Sequence, residues 1–359
     1  MLELIAVLSL AAPAAESVPV PAPLPTAVST AGQQSFPNRL GRMAIANRAD
    51  GTVSIVDSNT DTVQTTFGLP AAANPDETMY CVFAPRSRRL FVGDRGNDRV
   101  VGFDAETFAV LGEAATGAGV FHMWMTTDES QMWVVNDVDL SMTVFDPLTF
   151  ATLATIPIPQ DLSDDGGKPH DVVIAGGGDT VFLSIIGLSD GTDAIVAYDT
   201  DSFLETGRID VGGTSPHMVA SRANGQLYVT VQGGNAVEIY DSSSLAFLSL
   251  ISVPNAHGIG FGFRERWLYA VNIADGGPDA IYTIDTSTDT LVSPIGVDTS
   301  TATPHNVAVT PNGRKLYLTH SDGTGTKVSV FSLGPPDGVP AFLQQIDVGT
   351  NPYGICALF

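Results

Sequence analysis

The sequence predicts an all-β chain: a single seven-bladed β-propeller over residues 40–359, with the C-terminal strand completing the first blade. Three observations carry this. A short strand ending in Asp recurs along the chain, a second motif opens one strand of every unit, and the two ends of the repeat region hold complementary fragments of one unit. Repeats at a fixed period decide the architecture before any local motif is read.

The first marker places Asp57 before Thr60, Asp104 before Thr107, Asp146 before Thr149, Asp199 before Ser202, Asp241 before Ser244 and Asp285 before Thr288, with a seventh copy ending in Ser332. Six aspartates invite a metal reading. A turn role, in which the carboxylate accepts nearby backbone N–H groups, explains the constant hydroxyl residue better. Each marker is preceded by an apolar strand, such as Leu227 to Thr230 or Leu316 to Thr319, and followed by another, such as Thr152 to Ile156. Short period-two, β-branched segments between Gly, Asn and Asp are strands and tight turns. Four of them per unit of 40 to 48 residues make a propeller blade. Trp124, Trp133 and Trp267 fall at strand positions and read as core.

The second marker reads Val-Phe-His122, Lys-Pro-His170, Ser-Pro-His217, Asn-Ala-His257 and Thr-Pro-His305, with Thr-Met-Tyr80 and Asn-Pro-Tyr353 in register. It opens the innermost strand of each unit. The copy at Tyr353 to Phe359 ends the chain with no further strand, while the first unit begins at Leu40 directly with a second strand. Joining the two closes the ring and removes exposed sheet edges. Cys81 and Cys356 then lie on adjacent inner strands, and strand alternation is expected to turn them away from each other as two buried free thiols.

The patterns Pro-His-x-Val, Asn-Gly-x-Leu-Tyr-Val-Thr and x-x-Val-x-Ile-x-Asp, clearest at Ser215 to Asp241 and Thr303 to Ser332, resemble the YVTN-type β-propeller repeat. The resemblance implies the fold over nearly the whole chain after residue 39. Propellers of this type include surface-layer modules, lactonase-like enzymes, and the copper or haem domains of nitrous oxide reductase, thiocyanate dehydrogenase and cytochrome nitrite reductase. Fold alone does not choose among them. With two cysteines and no Cys-x-x-Cys-His motif, the chain departs from the respiratory reductases.

Five of the six histidines share one repeat position, so His122, His170, His217, His257 and His305 should form an arc around the channel, closed by Tyr80 and Tyr353. Imidazoles without thiolate suit a transition metal: copper first, as the head of the affinity order and by the resemblance, with iron or zinc as alternatives. Because the ligands must be neutral, affinity is expected to fall as pH drops through ~6.5. The competing reading is a structural ring left by repeat duplication. Asp171 and His320 are the candidate additional members, and Tyr80, Tyr353 and Asp171 the candidate catalytic groups, the tyrosines as proton donors or oxygen ligands. Arg95 and Arg99 are expected to pair with Asp94 or Asp98.

The net charge of −23, from 39 acidic and 16 basic residues, excludes the usual electrostatic footprint of nucleic-acid or anionic-membrane binding. Residues 1–15 hold an apolar run followed by small residues, the pattern of a signal segment, although no Lys or Arg precedes it; a Pro-rich linker follows over 16–39. No apolar stretch is long enough to span a bilayer. Two function classes emerge. One is a secreted or periplasmic metalloprotein, an oxidoreductase or lyase acting on a small molecule at the channel mouth. The other is a non-catalytic secreted or cell-surface binding module with a structural histidine ring. A metal-free lactonase-like hydrolase is a third reading, with no nucleophile beyond the histidines.

Overall fold

The computed structural model describes residues 41–221, 223–274, 280–293, 301–334 and 338–359; the expected signal segment over 1–15 and linker over 16–39 lie outside them. The described residues form seven four-stranded antiparallel sheets. Blade 1 is discontinuous in sequence. Its inner strand Pro352–Leu358 pairs with Arg42–Asn47, and Thr52–Asp57 and Thr62–Gly68 complete it. Ala44 lies opposite Cys356 and Ile45 opposite Ile355, the closure that the sequence implies. The inner strands of blades 2 to 7 are Thr78–Ala84, Val120–Met125, Lys168–Ile174, Pro216–Ala220, Ala256–Phe261 and Pro304–Val309.

The aspartate markers are turns. The Asp104 carboxylate accepts from the Thr107 N–H at 2.7 Å and its hydroxyl at 2.8 Å, and the Asp199 carboxylate accepts from the Ser202 N–H at 2.7 Å. These bonds draw both carboxyls below the ordinary carboxylate range, and bonds from Ser243 and Ser244 bring Asp241 down to about 2. Every turn leads into an exposed outer strand, so the apolar faces remaining for burial are those of the inner three strands, packed blade against blade.

The tyrosine of the Leu-Tyr segments tightens these interfaces. Tyr228 donates its hydroxyl to Asp289 of the next blade at 2.8 Å, and Tyr269 to the Gly338 carbonyl at 2.8 Å. At the closure seam Tyr317 donates to Asp61, which also receives Lys315 Nζ at 2.7 Å on both oxygens. Blade 7 is thus latched to blade 1 by a partly buried charge pair as well as by apolar packing.

The cysteines differ from expectation. Both are free, but Cys81 Sγ reaches the Ala44 carbonyl at 3.4 Å, the residue paired with Cys356, and the two thiols are in contact rather than turned apart. The cause is the tight approach of the two inner strands, where Gly354 lies against the Met79 carbonyl. The Cys81 contact, then burial, pushes the Cys356 thiol well above its usual range, so little thiolate exists near neutrality. Reduced native protein should therefore react slowly with a disulfide thiol reagent at pH 8 and yield two thiols per chain after denaturation. Rapid native modification of Cys356 would contradict this packing.

Candidate metal and active site at the histidine ring

All seven ring positions converge on the axis. Successive ring centroids stand 3.8 Å apart for Tyr80 and His122, 4.6 Å for His170 and His217, 4.1 Å for His217 and His257, 4.9 Å for His257 and His305, and 4.3 Å for His305 and Tyr353. Tyr353 and Tyr80 close the circle at 5.5 Å. Within it the five histidines are not equivalent. Nitrogens of His122, His170 and His217 all lie within 4.8 Å of one another, the one such group of three among the described residues. His170 Nε2 is 3.1 Å from His217 Nε2. His257 and His305 stay in the ring but outside this group, and Asn306 donates to His305 Nδ1 at 2.7 Å.

Asp171 belongs to the site. Its carboxylate receives His122 Nδ1 at 2.8 Å, stands 3.9 Å from His217 Nδ1, and is fixed by the N–H groups of Val172 and Met218, each at 2.8 Å. A carboxylate on Nδ1 selects the tautomer that leaves Nε2 as a lone-pair donor. His122 Nε2 is buried with no protein partner, as are both nitrogens of His257. Burial, with neighbouring imidazoles adding to it, holds His170, His217 and His305 well below the ordinary imidazole range and His257 at about 4. These rings are neutral, as ligands must be, and the expected loss of metal near ~6.5 moves to lower pH.

Burial raises Tyr80 and Tyr353 above the ordinary phenol range, so both keep their protons. They are hydrogen-bond donors at neutral pH rather than phenolate ligands. The Tyr80 hydroxyl is buried and makes no hydrogen bond of ordinary geometry.

His320 lies apart. Its Nδ1 donates to the Ala302 carbonyl at 3.2 Å and its Nε2 meets Ser329 Oγ at 2.8 Å. It ends the second strand of blade 7, where Asn47 and Asn136 end those of blades 1 and 3 and bond third-strand hydroxyls in the same way. Burial lowers His320 to about 4, whereas an unfolded histidine titrates near ~6.5. Protons then bind the unfolded chain in preference, so stability is full above ~6.5 and declines as pH falls toward 4, by about 3 kcal/mol for this group. His320→Asn should keep the neutral-pH melting temperature and flatten its acid dependence between pH 6.5 and 4. An unchanged slope would remove His320 as its source.

One end of the ring is closed. Phe121 packs on His122 at 5.1 Å, His170 at 5.0 Å and Tyr80 at 5.7 Å, with the Arg95 guanidinium 5.9 Å above it and Arg48 5.1 Å above Tyr353. Phe121 stands where four of the seven repeats have Pro, which is the signal in the sequence for this plug. Arg95 pairs with Asp137 at 2.7 Å instead of Asp94 or Asp98, and Arg99 with Asp94 at 2.9 Å as expected.

From the inner side of the ring a cavity of about 680 Å³ runs to the far ends of the inner strands. His122, Asp171 and His217 line its inner end, and Arg86, Thr127 and Phe359 its outer end. Access to the imidazoles is therefore from the face away from Phe121. Trp124 is not core: it is 39% exposed and lines this channel, whereas Trp133 is fully buried. No helix among the described residues is long and apolar enough to cross a membrane.

No curated protein sequence matches the chain. Among solved structures it is similar in fold to the periplasmic gluconolactonase PpgL of Pseudomonas aeruginosa (17% identity, TM-score 0.68, covering 88% of this chain and 98% of that one). A putative 6-phosphogluconolactonase of Bacteroides uniformis is similar at 20% identity and TM-score 0.67, over 89% and 99% of the two chains. Hydrazine synthase of Kuenenia stuttgartiensis matches at 15% identity and TM-score 0.64, over 77% and 88%. At these identities the likeness is one of fold. The family model described as lactonase, 7-bladed beta-propeller, matches residues 42–245, more than half of the sequence, and the chain belongs to that family.

Proposed function

We propose that this chain is an exported metalloenzyme that holds one first-row transition-metal ion on the Nε2 atoms of His122, His170 and His217, and that it hydrolyses the acyl C–O bond of a small ester or lactone, water becoming part of the acid and the ring or ester oxygen leaving as a hydroxyl. The observation that carries the proposal is the buried, unpartnered Nε2 of His122, held in its tautomer by Asp171 beside two further imidazoles. The donor set fits: three imidazole nitrogens without thiolate suit copper, which heads the affinity order, and iron or zinc equally by ligand type. Bound there, the ion supplies Lewis acidity toward a carbonyl oxygen.

The protein groups have separable roles. Asp171 fixes the His122 ring and strengthens its nitrogen as a donor. Tyr80, protonated and close to His122, is placed to donate a hydrogen bond to an oxygen in the channel. Tyr353 supports Tyr80 from the ring. Hydrolysis is preferred to oxidoreductase or lyase chemistry because the chain belongs to the lactonase family. Export rests on the apolar run over residues 1–15.

Elemental analysis of protein purified without a polyhistidine tag tests the reading. About one equivalent of copper, iron or zinc is expected, lost on chelation and regained on adding the ion, with lactone hydrolysis following the same loss and recovery. A second reading is favoured by the His122–Asp171 pair itself, which can act as a general base without metal. Full hydrolysis in the chelated protein would select it. No metal uptake and no hydrolysis would leave the binding module with a structural ring.

A further inference from the structure

We propose that the channel beneath the ring is the substrate site and that it takes a neutral, largely apolar lactone or ester, one carbonyl on an aliphatic body, in preference to sugar lactones and their phosphates. The proposal rests on the reading above for the chemistry but not for the binding. The cavity, at about 680 Å³, falls in the size range of small-molecule sites. It follows the inner strands from His122 to Thr127, five residues on, a depth of ~16 Å at ~3.3 Å per residue.

Its walls between the two ends are apolar: Met123, Trp124, Met218, Ile259, Phe261 and Ile355. Methionine thioethers and aromatic faces adapt to a flexible hydrocarbon and offer hydroxyl groups no strong partner. A polyhydroxylated lactone would give up its hydration against them with nothing in return. A phosphate or carboxylate fares no better. Among the described residues Arg86 is the one Lys or Arg that lines the cavity, it lies at the outer end, and anion recognition relies on several converging donors. Glu129, also at the outer end, is consumed by the N–H groups of Arg86 at 2.6 Å and Ser87 at 2.9 Å. His122, His217 and Tyr80 meet a carbonyl oxygen at the enclosed inner end, whereas Arg86 and Thr127 at the outer end are exposed to solvent. An elongated molecule is thus oriented with its carbonyl toward the ring and its hydrocarbon along the channel.

Trp124 supplies the readout. Metal-free protein is titrated with δ-decanolactone and, separately, with glucono-1,5-lactone, and tryptophan fluorescence is followed, with Trp124→Phe assigning the signal. Decanolactone is expected to change the emission with an affinity at least tenfold above that of gluconolactone. Ala357→Trp, which adds an indole to the channel wall, should weaken decanolactone at least tenfold. Displacement of Nile red from the wild-type channel by decanolactone gives the same comparison without a variant. Gluconolactone binding as tightly as decanolactone, or wild-type affinity in a folded Ala357→Trp protein, overturns the proposal. Because binding is read without metal, selective decanolactone binding by a chain that takes up no metal would sustain this inference while the metal reading falls. Metal uptake without selectivity would do the reverse.

Discussion

A chain lacking Tyr353 to Phe359 is expected to lose its cooperative unfolding transition and to aggregate, rather than to melt a few degrees early. The missing strand is the innermost of blade 1 and pairs along Arg42 to Asn47. Without it, Met43 and Ile45, now wholly buried, face an open edge, and the burial of Leu358 and Ile355 is lost. Fully burying side chains of this size contributes ~2 kcal/mol each, so the three buried ones, Met43, Ile45 and Leu358, together cost about 6 kcal/mol, with less from the half-buried Ile355. Domains of this kind are stable by only ~5–15 kcal/mol. The backbone donors and acceptors freed on Arg42–Asn47 also become a template for pairing with another chain. Circular dichroism melting and size-exclusion chromatography check the outcome. A monomeric truncated protein with the wild-type melting temperature would mean that blade 1 is closed in some other way.

The closure was legible in the sequence because it depends on counting: seven inner-strand markers, with the last one short of three strands and the first unit short of one. The arc of histidines was legible for the same reason, since a repeat position maps onto a ring position. What repeats cannot encode is the rotamer each copy adopts. His122, His170 and His217 were indistinguishable from His257 and His305 by register, yet Asp171 lies between the first and third of the five and draws their Nδ1 atoms toward one carboxylate. His320 misled because a histidine near a ring looks like a ligand. Comparison with Asn47 and Asn136 at the equivalent strand ends would have shown a position that bonds a third-strand hydroxyl. The thiol contact was hidden because period-two alternation gives directions within one strand, and the approach of two inner strands at Gly354 is a tertiary fact. The channel itself was expected, but its lining was not, for a related reason: an exposed face inside a ring reads, in one dimension, as core, as Trp124 did.

Replacing both His170 and His217 by Ala should abolish stoichiometric metal while lowering the melting temperature by only about 1–2 °C, the scale of a ~1 kcal/mol loss in a chain this large. The asymmetry follows from where the side chains lie. His170 and His217 contact Phe121 and neighbouring imidazoles on the axis, while the blade interfaces are built from strand residues such as Val172, Leu183, Ile195 and Val229, so the cores survive removal of the two imidazoles. Two of three converging nitrogens are gone, and His122 alone with its carboxylate cannot hold a first-row ion through desalting. Asp171→Asn separates support from ligation. It keeps the three imidazoles but loses the carboxylate on His122 Nδ1, and altered partners of ligating histidines weaken metal binding by ~10–100-fold. That variant should bind about one equivalent at saturating metal with the lower affinity, read by competition with a chromogenic chelator. A structural ring gives the opposite signature, with no equivalent of copper, iron or zinc in the wild type and a large loss of stability in the double variant. Metal retained by the folded double variant would place the ion elsewhere and dismiss the His122, His170 and His217 site altogether.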